Sequence, residues 1–130
     1  MSAVVNYIGT IHTPYKTLAA CPSNINVYDS VCQIEIQETY QSAIKGLKVG
    51  DLILVLYWLD KAERNHLDSI VNTEQIKGVF SLRSPHRPNP IGAAVVPIKS
   101  IDETTIKIQG MDCLDGTPLL DIKPAIYLER

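Results

Sequence analysis

The feature that most constrains the fold is a set of short segments in which apolar and polar residues alternate one by one. Cys32, Ile34 and Ile36 are separated by single polar residues. Ile106 and Ile108 are separated in the same way. A period of two places the apolar side chains on one face of an extended strand. The chain is therefore expected to build its core from half-buried β-strands.

Other segments extend this prediction to most of the chain. The continuously apolar segment from Leu52 to Trp58 is typical of a strand covered on both faces. Pro97 indicates an edge strand or a bulge, because proline cannot donate a hydrogen bond to a ladder. The remaining expected strands run from Val5 to near Pro14, from Val79 to Leu82, from Ile91 to Ile101 and from Leu119 to Lys123.

Helical spacing is found in one segment, with apolar residues at Tyr40, Ala43, Ile44 and Leu47. Gly46 and Gly50 are expected to end this helix. A polar stretch runs from Asp60 to Lys77 without clear periodicity. It is either a solvated surface segment or a binding loop, since connections of this length are uncommon and often functional.

These elements indicate the fold class. A doubly wound sheet is excluded, because the chain lacks both the repeated βα alternation and a GxGxxG segment. The prediction is a mainly β fold, a small closed or partly closed β-barrel of six or seven strands with one or two short helices. With 130 residues, the chain is expected to form a single β-barrel domain over residues 1–130.

Charge and cysteine usage exclude several functional classes. Twelve Lys and Arg against 14 Asp and Glu give a net charge of −2, which argues against a surface that binds polyanions everywhere. RNA binding would need a local basic patch, and its candidate members are Arg83, His86, Arg87, Lys99 and Lys123. The three widely spaced cysteines are expected to be reduced thiols of a cytoplasmic protein.

Motif spacing argues against a metal site and a membrane protein. Neither CxxC nor HxxxH spacing is present, so no metal is predicted. The longest apolar run, Leu52 to Leu59, is far shorter than the roughly 20 residues that a bilayer requires. The first seven residues lack the features of a signal peptide.

A proline-rich segment, Arg83-Ser84-Pro85-His86-Arg87-Pro88-Asn89-Pro90-Ile91-Gly92, is the strongest candidate for a binding loop. Proline fixes φ and restricts the residue before it, so the three prolines stiffen the loop. A stiff loop lowers the entropic cost of holding charged side chains in place. Arginine is suited to planar carboxylates and phosphates. The alternative is a rigid surface connection between two strands.

The segment Asp115-Gly116-Thr117-Pro118 is the second candidate. Its residue types are typical of a tight turn, because glycine permits φ > 0 and aspartate bonds its own backbone. Such a turn can also present N–H groups and a carboxylate to a ligand, so the two interpretations are compatible.

Together, SLRSPHRPNPIG and LDGTPLLDIKP closely resemble the tRNA N6-threonylcarbamoyladenosine N6-methyltransferase family. YIGTIHTPYK and LVLYW extend the resemblance over essentially the whole chain. The resemblance implies a single-sheeted β-barrel, S-adenosylmethionine as cofactor, a tRNA substrate, and a homodimer with the cofactor near the subunit contact.

The resemblance also implies cofactor-binding residues. The positions that match the family motifs are Arg83, Ala93 (where leucine is usual), Asp115, Gly116, Thr117 and Pro118. Two further cofactor segments depart from the family pattern. This chain has Pro22-Ser23-Asn24 where the family has Pro-Arg-Gln, and it has Asp60-Lys61 where the family has a pair that begins with His. Asn89 and Lys123 are predicted to contact the substrate.

The reaction implied is methyl transfer to the exocyclic nitrogen of a modified adenine beside the anticodon. His86 is the predicted base, since it is the neutral base of the motif. Arg87 is predicted to stabilise a developing anion or to pair with the threonyl carboxylate. Two alternatives remain: a protein that binds S-adenosylmethionine without methylating tRNA, and a barrel adaptor that uses the proline-rich loop for protein contact.

Overall fold

The computed structural model describes residues 1–22, 30–72 and 75–128. Six antiparallel strands close into a barrel in the order β1-β2-β7-β6-β3-β8, while β4 and β5 form a separate two-stranded hairpin. This confirms the predicted mainly β barrel. The strands are β1 Gly9–His12, β2 Val31–Ile36, β3 Leu52–Trp58, β4 Asp68–Asn72, β5 Gln75–Gly78, β6 Ile91–Asp102, β7 Thr105–Gln109 and β8 Thr117–Pro124.

The alternating residues fill the barrel interior. Ile34 lies opposite Ile106, and Cys32 lies opposite Ile108, so the apolar faces of β2 and β7 meet in register. Burial of this surface is the main stabilising term of such a fold. The buried core consists of Ile11, Cys32, Ile34, Ile36, Ile53, Val55, Tyr57, Ala94, Val96, Ile98, Ile106, Ile108, Met111, Cys113 and Leu119.

Strand direction gathers three chain connections at one end of the barrel. They are the first connection, from β1 to β2, the second, from β3 to β6, and the third, from β7 to β8. Their described residues are 13–22 and 30, 59–72 and 75–90, and 110–116. The connection from β2 to β3 and the β6–β7 turn lie at the opposite end. Two segments that carry the candidate motifs, the proline-rich loop and the residues before β8, therefore come together in space.

The helical predictions need correction. The segment predicted as a helix over Tyr40–Leu47 is a 3₁₀ helix, Glu38–Ile44. The expected strand Val79–Leu82 is also wrong, because a 3₁₀ helix occupies Val79–Ser81. The N–H of Leu82 bonds the carbonyl of Val79 and closes that turn. A third 3₁₀ helix in the described residues is Leu18–Ala20.

Two strand predictions were also wrong in detail. β1 begins at Gly9, and Val5 is 67% exposed. β2 ends at Ile36, the partner of Gly9. The backbone of Ile8 still bonds that of Gln37 and Leu119, but the ladder does not extend to Val5. β3 is not covered on both faces, since Leu52 is 56% exposed. An antiparallel barrel buries only the inward face of each strand.

The expectation for Pro97 is wrong in detail, because Pro97 lies neither at an edge nor in a bulge and pairs with Leu52 in the β3–β6 ladder. The closed barrel has no edge, and the β6–β7 register shifts between Ile98 and Ser100. The first β6–β7 pair joins Ile98 to Ile108, so Pro97 lies just outside that ladder.

The polar stretch from Asp60 to Lys77 contains the β4–β5 hairpin, which the absence of periodicity had hidden. Ile70 lies opposite Ile76, and the N–H of Val79 bonds the carbonyl of Leu67. None of the helices in the described part of the chain has the length and apolarity needed to cross a bilayer.

Candidate functional site

The connections that meet at one barrel end enclose a cavity of about 920 Å³. This volume falls within the range of small-molecule and cofactor sites. Among its lining residues are Leu18, Cys21 and Pro22 from the first connection, Leu59–Ala62 and Leu82–Arg87 from the second, Asp112–Leu114 from the third, and Tyr57, Ile91–Val95 and Thr117 from the strands.

Arg87 holds the proline-rich loop in shape. Its Nη1 donates to the carbonyl oxygens of Leu82, at 2.8 Å, and Ser84, at 3.1 Å. The N–H of His86 donates to Ser84 Oγ at 3.3 Å. The stiffness predicted from the prolines is therefore reinforced by side-chain bonds. Arg87 lines the cavity, but this part of its guanidinium is committed to the backbone.

His86 also lines the cavity, and its ring is oriented by a neighbouring segment. The Glu63 N–H donates to His86 Nδ1 at 3.0 Å. In the neutral ring this bond assigns the proton to Nε2, which then donates and does not accept. The His66 ring lies 5.2 Å from the His86 ring, and His66 Nε2 lies 2.6 Å from Glu63 Oε2. The hydrogen bond from His66 lowers the pKa of Glu63.

Arg64 was not singled out in the sequence, yet it fastens the end of the proline-rich loop. Its Nε donates to the carbonyl of Pro88 at 2.7 Å, and its Nη2 donates to Asn89 Oδ1 at 2.9 Å. Its guanidinium carbon lies 5.2 Å from the centre of the Trp58 ring. Asn89 is thus bonded to Arg64 and is not one of the cavity-lining residues. The polar stretch from Asp60 to Lys77 has no periodicity from which these contacts of Arg64 could be predicted.

Several predicted cofactor residues face the cavity together. Arg83 Nη2 donates to the carbonyl of Ala93 at 3.1 Å, and both residues line the cavity. Asp60 and Lys61, at the start of the second connection, also line the cavity, and Pro22 lines it from the first connection. The predicted residues Ser23 and Asn24 lie outside the described residues.

The Asp115-Gly116-Thr117 segment forms the tight turn that its composition predicts. The Thr117 N–H donates to the carbonyl of Leu114 at 3.2 Å, and Gly116 has φ +87°. Thr117 lines the cavity, whereas Asp115, Gly116 and Pro118 are not among its lining residues. Pro118 lies opposite a β1 residue in the β1–β8 ladder.

Asp115 ties the first connection to the third. Its Oδ1 accepts from the Thr13 N–H at 3.0 Å and lies 3.5 Å from His12 Nδ1. Its Oδ2 accepts from Lys16 Nζ. The Lys16 ammonium is the main cause that lowers the pKa of Asp115. The Asp115 carboxylate therefore holds the first connection, which carries part of the cavity lining, against the turn before β8.

A buried tyrosine and an aspartate form a second feature that the sequence did not reveal. Tyr57 is only 3% exposed, and its hydroxyl donates to Asp112 Oδ1 at 2.9 Å. Burial and the nearby Asp112 carboxylate raise the Tyr57 pKa. Burial raises the pKa of the adjacent Cys113 thiol to about 12, so this thiol stays protonated at neutral pH. Tyr57 and Asp112 are 55 residues apart in sequence, so no local sequence pattern could predict their contact.

Gly92 makes room for the Tyr57 ring. A Cβ placed on Gly92 would lie 2.2 Å from Tyr57 Cε2. The Ile-Gly step of the proline-rich motif therefore has a structural reason, since only glycine leaves space for the ring beside β6.

Lys123 lies elsewhere. It lines a second cavity of about 360 Å³ at the opposite barrel end, and its Nζ lies 3.2 Å from Asp121 Oδ2. The five basic residues proposed as one patch are therefore divided, because Arg83, His86 and Arg87 line the first cavity. The described residues contain no group of three or more His, Cys, Asp or Glu placed to hold a metal ion.

A family model described as the tRNA-methyltransferase O N-terminal domain matches residues 10–129. The chain belongs to this family. The family match includes the proline-rich loop, the turn before β8 and most of the barrel that carries them.

Named relatives differ in the function that their names give. The chain is 41% identical to "Probable S-adenosyl-L-methionine-binding protein VirR" of Rhizobium radiobacter, over 95% of this chain and 71% of that protein. It is 30% identical to the tRNA (adenine(37)-N6)-methyltransferase of Escherichia coli, over 90% of this chain and 55% of that protein. The crystal structure of TrmO from Pseudomonas aeruginosa superposes with a TM-score of 0.80 at 29% identity, over 97% of this chain and 57% of that chain.

Proposed function

We propose that this protein binds S-adenosylmethionine in the first cavity and methylates N6 of threonylcarbamoyladenosine beside the tRNA anticodon. The observation that carries the proposal is the meeting of Arg83, Ala93 and Thr117, with the proline-rich loop, around one cavity. Family membership and the relatives named for S-adenosylmethionine binding and tRNA methylation support it.

The lining of the cavity fits such a cofactor. S-adenosylmethionine carries an apolar adenine face, a carboxylate, an ammonium and a sulfonium. The cavity offers the apolar side chains of Leu59, Leu82 and Leu114, with Arg83 as a cation for a carboxylate. Asp112 offers a negative charge on another part of the wall. Both signs of charge and an apolar surface are therefore available in one cavity.

The chain's residues would act mainly by positioning. When bound, the cofactor supplies a methyl group already activated by its sulfonium. Holding the acceptor nitrogen in line with that methyl contributes up to roughly 7–11 kcal/mol. The loop from Arg83 to Pro88 is fixed by prolines and by Arg87, so it can hold an acceptor without reorganising.

We propose that His86 donates a hydrogen bond from Nε2 to the carbamoyl group as its negative charge develops. This modifies the role predicted from sequence, because the Glu63 N–H occupies Nδ1 in the structure. Arg87 would contribute positive charge from the same loop. The negative charge would arise as the proton of the acceptor nitrogen leaves to solvent, before or together with transfer of the methyl group to that nitrogen.

Substitution of His86 tests this role. We expect His86→Ala to spare cofactor affinity and to lower single-turnover methyl transfer at saturating tRNA. His86→Gln, which keeps a donor, should retain more activity than His86→Ala. If His86 were the base, both variants would lose about 10²–10⁴-fold in methyl transfer. Wild-type transfer by His86→Ala would remove this residue from the reaction.

The substrate is tested by mass spectrometry of nucleosides. The protein is incubated with S-adenosylmethionine and tRNA that carries threonylcarbamoyladenosine, and the digest is searched for that nucleoside with one added methyl group. Unmodified tRNA is the matched control. Methylation of another nucleoside would overturn the substrate and leave the methyltransferase activity in place.

A protein that binds S-adenosylmethionine without methylating tRNA is the second candidate. Asp60 and Lys61 favour it, because they line the cavity where a His-led pair would match the family motif. Cofactor binding by calorimetry without any transfer to tRNA would decide for this candidate. Failure to bind the cofactor would favour the third alternative, an adaptor that uses the proline-rich loop for protein contact.

We further propose a cytoplasmic homodimer, with cytoplasmic location following from the tRNA substrate. The β4–β5 hairpin exposes apolar side chains, and a two-stranded hairpin is marginally stable alone. Both ends of the hairpin lead into segments that line the cavity, Lys61–Ala62 and Leu82–Arg83. A partner seated on the hairpin would therefore lie beside the proposed cofactor site.

A further inference from the structure

We infer that Asp112, held by the Tyr57 hydroxyl, is the negative charge that binds the positively charged part of the cofactor. The inference rests on the proposed function, since it assigns a residue of that cavity to a charge of S-adenosylmethionine. Neither residue belongs to the motifs on which the family resemblance assigned cofactor contacts.

The geometry presents Asp112 to the cavity with one oxygen fixed. Asp112 lies in the connection between β7 and β8, and it lines the cavity together with Tyr57. The Tyr57 hydroxyl donates to Oδ1 at 2.9 Å. Tyr57 is 3% exposed, and its ring is held against Gly92. A buried donor therefore sets the orientation of the carboxylate.

The charge of Asp112 is not neutralised by the described part of the chain. No Lys, Arg or His there lies within ion-pair distance of Asp112, whereas Asp115 pairs with Lys16 and Asp121 with Lys123. A partly buried carboxylate that accepts one hydrogen bond from the described residues has acceptor capacity left on that side. A cation that enters the cavity would supply the missing partner.

Tyr57 suits the role of a permanent donor. Burial and the neighbouring carboxylate raise its pKa, so its hydroxyl remains protonated at neutral pH. Asp112 can then present Oδ2 to the ligand while Oδ1 stays bonded. Asp60, the other carboxylate of this cavity wall, is exposed and lies on the second connection.

Calorimetry with S-adenosylmethionine and with S-adenosylhomocysteine tests the inference. Asp112→Asn keeps the shape and removes the charge, and we expect it to weaken S-adenosylmethionine binding by about 10-fold to 150-fold, the range for a hydrogen bond to a charged group. Tyr57→Phe should weaken binding in the same direction but less, because the charge remains. Asp102→Asn, at the opposite barrel end, is the matched control and should bind as the wild type does.

The two ligands locate the charge that Asp112 contacts. Both carry the ammonium, and only S-adenosylmethionine carries the sulfonium. Equal weakening of both ligands by Asp112→Asn indicates the ammonium, and weakening confined to S-adenosylmethionine indicates the sulfonium. Either result supports the inference.

Other results overturn it. Wild-type affinity in folded Asp112→Asn, with circular dichroism as the folding check, removes Asp112 from cofactor binding. Slower methyl transfer by Asp112→Asn with unchanged affinity would make Asp112 a proton acceptor instead. If Asp112→Asn does not fold, wild-type affinity of Tyr57→Phe overturns the positioning of the carboxylate. Failure of the wild-type protein to bind S-adenosylmethionine would refute the proposed function itself, which separates the two failures.

Discussion

Arg87 shows how a single side chain at the cavity serves the fold and the site together. Its Nη1 bonds two carbonyl oxygens of the loop in which it lies, those of Leu82 and Ser84. Each such bond contributes about 0.5–1.5 kcal/mol net. We expect Arg87→Ala to lower the free energy of unfolding by about 1–3 kcal/mol, measured by urea denaturation.

Lys99→Ala is the control for Arg87→Ala. Lys99 is exposed on β6, and its substitution should change stability by less than about 0.5 kcal/mol. If Arg87→Ala is as stable as the wild type and only tRNA affinity falls, Arg87 serves as an RNA contact and the loop holds its shape without it.

Arg83 carries the clearest prediction for ligand affinity. It opens the stiff loop, lines the cavity, and donates to the backbone of Ala93. We expect Arg83→Ala to weaken S-adenosylmethionine binding by roughly 1.5–3 kcal/mol, the range for a hydrogen bond to a charged group. Calorimetry measures the loss, and an unchanged urea midpoint shows that the fold is intact. Unchanged affinity in the folded variant would count against this site.

Among the elements, the turn before β8 makes a prediction about pH. Lys16 is the main cause that lowers the pKa of Asp115 below its ordinary value of 3.8, and the Thr13 N–H adds to it. A carboxylate with a lowered folded-state pKa stabilises the fold above its unfolded pKa. That contribution is lost as the pH falls through the folded pKa. The turn should therefore fasten the first connection less firmly below about pH 4.

Asp115→Asn separates this contribution from the rest of the fold. Its destabilisation relative to the wild type should be present at about pH 6 and should shrink towards about pH 2, as the pH falls towards the lowered folded-state pKa of the wild-type carboxylate. Urea denaturation at both pH values measures it. Lys16→Ala should reduce the same pH-dependent part. A difference that stays constant across this range would show that Asp115 acts through shape and not through charge.

Strands were predicted correctly where buried and exposed residues alternate along the sequence. β2 and β7 alternate strictly, because each has one face in the core and one in solvent, and the sequence was sufficient to place them. The hairpin was missed because Ile70 and Ile76 are exposed, so its strands show no core-facing alternation. Val79–Ser81 was mistaken for a strand since three residues cannot distinguish a 3₁₀ turn from an extended segment.

At the scale of the whole molecule, the barrel was predictable and the composition of its cavity was only partly so. Stiff loops and a tight turn are local features, so the proline-rich segment and the turn before β8 could be recognised as candidates. The contacts of Tyr57 with Asp112 and of Arg64 with Asn89 depend on barrel closure, which brings distant connections to one end. The prediction that Lys123 joins a basic patch with Arg83 was likewise wrong, because the direction of β8 places Lys123 at the opposite barrel end.

The hairpin surface makes the last prediction, the assembly of two chains. Ile70 and Ile76 lie opposite each other in the hairpin, and Ile70 is 74% exposed. Leu67 and Phe80, which flank the hairpin in the chain, are exposed as well. Exposed large apolar side chains on a marginal hairpin and next to it in the chain favour a protein interface. A two-fold pair of hairpins would cover these side chains in both copies, since such an interface is self-complementary. Light scattering at micromolar concentration should therefore give the mass of a dimer.

Substitution tests whether the hairpin makes this contact. Ile70→Lys should yield a monomer, because a charge in the centre of an apolar interface cannot be desolvated without a partner. Val49→Lys is the matched control, since Val49 is 65% exposed in the connection at the opposite barrel end, and this variant should remain a dimer. A wild-type monomer would refute the assembly. A dimer that persists in Ile70→Lys would place the contact on another surface, and the cofactor cavity would then have no partner subunit at the hairpin beside it.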